Sequence, residues 1–207
     1  MPAPRILKAD DPNAMAAAME VLARGGLVAF PTDTVYGVGA PAFSARSAER
    51  IYAAKGRQPE KALPILIADL DSAERVAEPL TGEVRRLARA FWPGPLTLVV
   101  RKLPAVPESV SRGLTIGLRV PDHRVALELL RAGGPLAATS ANLSGGPDPR
   151  SAEEVAAGLG GRVDLILDGG KVPGGRASTV IDCTVWPPKL IREGPLSLET
   201  ILAAFQV

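Results

Sequence analysis

Residues Gly26-Leu27-Val28-Ala29-Phe30 carry no polar side chain, and a run this short between turn signals reads as a strand. A strand that is apolar at every position must be covered on both faces, which calls for a sheet held between helices. Further strand candidates occupy 63–68, 96–101, 115–120, 135–139, 163–167, 178–183 and 189–192, and several of them are apolar throughout. Helical signals fill the intervals. Asp11-Pro12 provides an N-cap with proline in the first turn, and Met15, Ala18, Met19 and Leu22 follow at helical spacing up to Gly25-Gly26. Ser44 caps a second helix through Ile51 and Tyr52, and Val84, Leu87, Ala88 and Phe91 mark a third. Asp122 opens a fourth, Ser151-Ala152-Glu153-Glu154 is a capping-box start, and Ser197 caps a last one carrying Ile201 and Phe205. Interleaving of this kind predicts an α/β fold: a twisted, mixed β-sheet flanked by helices, with residues 1–207 forming one domain.

Charge and rare residues narrow the chemistry. The balance is 24 basic against 22 acidic residues, short of the strong basic excess usual for a nucleic-acid binder. One cysteine, Cys183, rules out an intramolecular disulfide and a cysteine metal cluster. One histidine, His123, excludes His–His metal ligation, so no protein metal site is expected, and a Ser-His-Asp triad would have to run through His123. No apolar stretch approaches the roughly 20 residues that span a bilayer, and the first residues lack a signal-peptide apolar region; a cytoplasmic protein is expected.

Six segments concentrate groups able to hold a small polar ligand. Pro31-Thr32-Asp33-Thr34-Val35-Tyr36-Gly37 places two threonines and a tyrosine at a strand end; the alternative is a turn whose hydroxyls cap their own backbone. Lys55-Gly56-Arg57, with Lys61 four residues on, sets three cations in one helix-to-strand connection, suited to a polyphosphate or to complementing the helix dipole. Thr139-Ser140-Ala141-Asn142-Leu143-Ser144-Gly145-Gly146 is a hydroxyl- and glycine-rich loop after a strand, without the ending of a Walker loop. Arg119 stands in an otherwise apolar strand and needs a carboxylate, from a ligand or from the protein. Ser178 begins a strand after Gly174-Gly175, and Arg192 ends another.

Taken together, and in order, Pro31–Gly37, Lys55–Arg57, Gly117-Leu-Arg-Val-Pro121, Thr139–Asn142 with Ser144-Gly145, Ser178–Asp182 and Arg192-Glu-Gly194 resemble the YrdC/TsaC family, the threonylcarbamoyl-AMP synthases of tRNA modification. The length resembles the short, single-domain form. The resemblance implies that L-threonine, bicarbonate or CO2, and ATP as substrate with Mg²⁺ give threonylcarbamoyl-adenylate and pyrophosphate. A downstream tRNA threonylcarbamoyl-transfer complex then modifies adenosine 37. The family's ATP-binding tetrad falls on Lys55, Arg57, Ser140 and Asn142, with Lys55 and Arg57 in the catalytic role. Lys61, Thr115 and Arg192 match further nucleotide contacts. The threonine pocket falls on Thr32, Thr34, Tyr36, Arg119, Thr139 and Ser178. A histidine that contacts threonine in some relatives is replaced by Leu66. Two rival readings are a non-catalytic double-stranded RNA- or tRNA-binding module of the same fold and a carbamoyl-transferring relative from hydrogenase maturation. Only eight aromatic residues and a near-neutral charge speak against the first, and length against the second.

Overall fold

The computed structural model describes residues 4–58 and 61–204. Its strands are β1 (Arg5–Lys8), β2 (Val28–Phe30), β3 (Gly37–Pro41), β4 (Ile65–Leu66), β5 (Leu96–Arg101), β6 (Thr115–Arg119), β7 (Leu136–Ser140), β8 (Leu165–Asp168), β9 (Thr179–Asp182) and β10 (Lys189–Arg192). Its helices are α1 (Ala14–Ala23), α2 (Ala45–Lys55), α3 (Gly82–Phe91), α4 (Arg124–Gly133), α5 (Ala152–Leu159) and α6 (Leu198–Ala203). All ten strands join one mixed sheet in the order β1-β8-β2-β3-β7-β4-β6-β5-β9-β10. The expected α/β architecture of a mixed sheet flanked by helices is therefore present.

Two strands lie outside the sequence expectation. Gly37 opens β3 instead of closing a turn, so Pro31–Tyr36 is the connection between β2 and its antiparallel neighbour. Gly-Val-Gly-Ala-Pro has low strand propensity, and its pairing with both β2 and β7 overrides that preference. β1 is a short edge strand in parallel register with β8, with charged residues at both ends. Helix starts also shift by one or two residues. α1 begins after Asn13, while Asp11 accepts the Asn13 N–H in a turn of its own. α4 is capped by His123, whose Nδ1 accepts the Val125 N–H at 3.2 Å, so Asp122 does not open it. Ser44, Ser151 and Ser197 cap as expected. Phe205 lies outside the described residues.

Side-chain alternation divides the core in two. On β2, β8, β4 and β7, Val28, Phe30, Leu165, Leu167, Leu66, Leu136 and Ala138 face α1 and α4. Leu27, Ala29, Ile166, Ile65, Ile67 and Ala137 face the larger cluster, which includes Ile51 of α2, Leu87 of α3 and Val155 of α5. β5 and β6 give Leu96, Leu98, Ile116 and Leu118 to that larger cluster. Their opposite face carries Thr97, Val99, Gly117 and Arg119, none of which belongs to the α1–α4 cluster. The sheet thus has one face covered from β8 to β9, while the other leaves a stretch open past Leu66 and Ala138.

Candidate active site

That open stretch is a cavity of about 370 Å³, within the range of small-molecule sites. Its floor is the alternate-residue face of β5, β6 and β9, with Thr97, Val99, Gly117, Arg119 and Val180. Thr32 and Thr34 enter from the β2–β3 connection, and Thr139 and Ser140 from the end of β7. Ser178 and Arg192 close one side, and Arg57 another.

The β2–β3 connection is stiffened by its own hydroxyls. Thr32 Oγ1 donates to Val35 O at 2.6 Å, accepts the N–H groups of Thr34 and Val35, and lies 3.0 Å from Thr34 Oγ1. The turn reading and the pocket reading of this segment hold together: both threonines line the cavity and both organise the backbone. Tyr36 does not line it. Its ring is fully buried, its hydroxyl donates to Gly170 O at 2.7 Å and accepts the Gly169 N–H, and burial pushes the phenol up to about 12. Tyr36, expected as a threonine contact, instead projects to the helix-covered face and packs in the larger core cluster. Asp33, beside it, is the partner Arg119 requires.

Arg119 donates from Nη2 to Asp33 Oδ1 at 2.5 Å, from Nη1 to Thr34 Oγ1 at 3.1 Å, and from Nε to Gly94 O at 2.9 Å. Burial lowers its affinity for the proton, and Asp33 opposes that. Arg119 is therefore both paired within the protein, through three of its five N–H groups, and part of the cavity wall. Asp33 was read only as a turn residue in the sequence.

The cations sort into two kinds. α2 ends in a Schellman motif: Gly56 takes φ 59°, its N–H donates to Ala53 O, and the Arg57 N–H donates to Tyr52 O at 3.0 Å. The left-handed glycine turns the chain so that Arg57 meets the cavity, where it also holds Lys61 O and Ala62 O. Arg192 reaches the cavity from β10 and donates to Ser178 O at 2.8 Å and Ser178 Oγ at 3.2 Å. Lys55, by contrast, is 2% exposed and stands behind the wall. Its Nζ donates to Ser140 O, to Asn142 O at 2.7 Å and to Asn142 Oδ1 at 3.0 Å, and burial pushes the ammonium down to about 8. Asn142 in turn accepts from Ser140 Oγ at 2.6 Å and donates to Gly146 O. Lys55, Ser140 and Asn142 are thus brought together, with Lys55 and Asn142 setting the shape of the strand end and Ser140 facing the cavity.

The remaining expected residues are further out. Lys61 is exposed, and its carbonyl, not its ammonium, serves the Arg57 side. Thr115 shares the face of Gly117 and Arg119 but lies at the far end of β6, outside the cavity wall. Leu66, at the place of the relatives' histidine, lines the wall with an apolar surface. Thr97 is a wall residue that sequence reasoning missed. His123 is a helix cap, so no triad runs through it. Among the described residues no three His, Cys, Asp or Glu side chains stand close enough to hold a metal ion, and no helix is long and apolar enough to cross a membrane.

The Sua5_yciO_yrdC family model, described as "Telomere recombination", matches residues 20–194. The threonylcarbamoyl-AMP synthase of Pyrococcus abyssi is 48% identical over 179 residues, covering 86% of this chain and 53% of its own length. That of Bacillus subtilis is 43% identical over 203 residues, covering 95% of this chain and 58% of its own. The chain therefore spans about half the length of these relatives. The crystal structure of P. abyssi Sua5 complexed with L-threonine superposes with a TM-score of 0.90 at 43% identity, covering 98% of this chain and 60% of that one.

Proposed function

Because the chain belongs to the Sua5/YciO/YrdC family, we propose that it is an L-threonylcarbamoyladenylate synthase. In this reading it is a nucleotidyltransferase that forms threonylcarbamoyl-AMP and pyrophosphate from L-threonine, bicarbonate or CO2, and ATP. The observation that supports it most is the meeting, in one cavity, of a hydroxyl-lined side carrying Thr32, Thr34, Arg119 and Ser178 with a cationic side carrying Arg57 and Arg192. The first suits a small amino acid with a carboxylate, the second a polyphosphate.

The neutral amine of threonine adds to CO2 and loses one proton to water, giving a carbamate. One carbamate oxygen attacks the α-phosphorus of ATP, the bond to the β,γ-diphosphate breaks, and pyrophosphate leaves with the electron pair. Such displacements depend on positioning and on neutralising charge, so no histidine base is needed. Arg57 and Arg192 supply charge from two elements. Lys55 holds Ser140 and Asn142 in place and lends its charge from behind the wall, where Asp148 acts on both Lys55 and Arg192. Mg²⁺ would enter with the triphosphate, its ligands being mainly phosphate and water oxygens. The product is an activated carbamoyl group, which a tRNA threonylcarbamoyl-transfer complex would consume.

Pyrophosphate release from ATP and bicarbonate, compared between threonine and serine, tests the reading. Release that does not depend on threonine would sink it.

A further inference from the structure

Thr97 and Ser178 face each other across the cavity floor with their hydroxyl oxygens 2.8 Å apart, and each residue is 4% exposed. Ser178 Oγ also accepts from Arg192 Nη2 at 3.2 Å. Two hydroxyl protons are present and the mutual hydrogen bond uses one. Arg192 only donates, so it takes neither. One O–H is left without a protein acceptor among the described residues, in a buried wall whose open side is the cavity. A buried donor without an acceptor is costly, and here a ligand oxygen would satisfy it.

The direction of the chain follows from balance. If Ser178 donates to Thr97, each oxygen accepts once and donates once, and Arg192 polarises the sequence Arg192 to Ser178 to Thr97. The reverse leaves Ser178 accepting twice and Thr97 accepting nothing. The Thr97 rotamer is fixed by its methyl, which packs where Gly117 has no side chain: a Cβ on Gly117 would meet Thr97 Cγ2 at 3.0 Å. We propose that Thr97 is a substrate-binding residue, the terminal donor of a relay from Arg192 through Ser178 to an anionic oxygen of the threonyl substrate. The proposal rests on the synthase reading above. Arg57 and Arg192 on the same cavity add the positive field that an anionic oxygen prefers.

Thr97→Val keeps shape and strand preference and removes the hydroxyl. We expect it to weaken binding ~10–100-fold, the size of one hydrogen bond to a charged group, with Thr97→Ser, which keeps the hydroxyl but not the methyl that orients it, losing less and Ser178→Ala intermediate. Calorimetry of L-threonine without bicarbonate reads the carboxylate, and the bicarbonate KM of pyrophosphate release reads the carbamate; a rise in either for Thr97→Val supports the relay and says which oxygen it serves. A Thr97→Val protein with both constants unchanged overturns it, as does a lowered melting temperature with no kinetic effect, which would make the pair structural. A full loss in Ser178→Ala with none in Thr97→Val overturns the direction proposed. Wild-type protein that binds no threonine overturns the functional reading, and this inference with it.

Discussion

Arg119 and Asp33 form a nearly buried ion pair, 2.5 Å between Nη2 and Oδ1, with side-chain exposures of 8% and 14%. Asp33 Oδ1 also accepts the Asp122 N–H at 3.0 Å, so one carboxylate oxygen ties the β2–β3 connection to the turn after β6. Among the described residues its other oxygen is buried without a partner. Asp33→Ala would strand the Arg119 charge, and breaking such a pair from one side costs about 3–5 kcal/mol. Urea unfolding is expected to show a loss of this order. The folded fraction should have a raised KM for threonine and an unchanged one for ATP. Arg119→Ala should share that kinetic pattern, and a defect confined to ATP would contradict it.

Tyr36→Phe separates structure from binding. The hydroxyl bridges Gly169 and Gly170 on the face away from the cavity. Its loss leaves a buried donor and acceptor unmatched, about 1–3 kcal/mol. Thermal unfolding should register this, while the threonine KM stays as in wild type. A raised KM at unchanged stability would return Tyr36 to the pocket.

These two residues also mark the limit of sequence reading. The architecture was legible because apolar runs and helical spacing are local signals, and hydroxyl-rich and cationic segments stand out in an apolar chain. Which way a side chain points was not legible, because it depends on the pairing of the strand that carries it. Tyr36 and Thr34 differ by two positions in a connection whose alternation could not be assigned until β3 was known. β3 itself is hidden by two glycines and a proline. Asp33 was missed as the Arg119 partner because their sequence separation, 86 residues, leaves no local trace. Thr97 did leave one: it is the single polar residue in Leu96-Thr97-Leu98-Val99-Val100, in phase with Val99 on the open face.

Lys55 gives a pH prediction. Burial holds its ammonium at about 8 against an ordinary value of 10.5. Between these values the unfolded chain binds more protons than the folded one, so stability should rise with pH from 8 to 10.5. Denaturant midpoints of wild type, referenced to Lys55→Met, should climb across that window and be flat between pH 6 and 7.5. Lys55→Met should itself slow pyrophosphate release by about 10²–10³, by analogy with removal of a transition-state donor. The fall would act through the Ser140–Asn142 strand end as well as through charge. A variant with wild-type turnover would remove Lys55 from the machinery.

Gly117 and Thr97 make a coupled pair that a double-mutant cycle can expose. Gly117→Ala places a Cβ 3.0 Å from Thr97 Cγ2, so that methyl must give by a few tenths of an ångström, while Pro64 Cβ at 3.4 Å is in ordinary contact. Overpacking of this kind costs about 1–3 kcal/mol. The shift falls on Thr97, which turns its hydroxyl from Ser178 and raises the threonine KM. Thr97→Ser deletes the methyl that the new Cβ meets and keeps the hydroxyl. Combined with Gly117→Ala, it should recover much of both the stability and the affinity, giving a coupling of about 1 kcal/mol instead of the near-additivity of distant sites. Strict additivity of the two changes would show that the Thr97 methyl is not what fixes its hydroxyl.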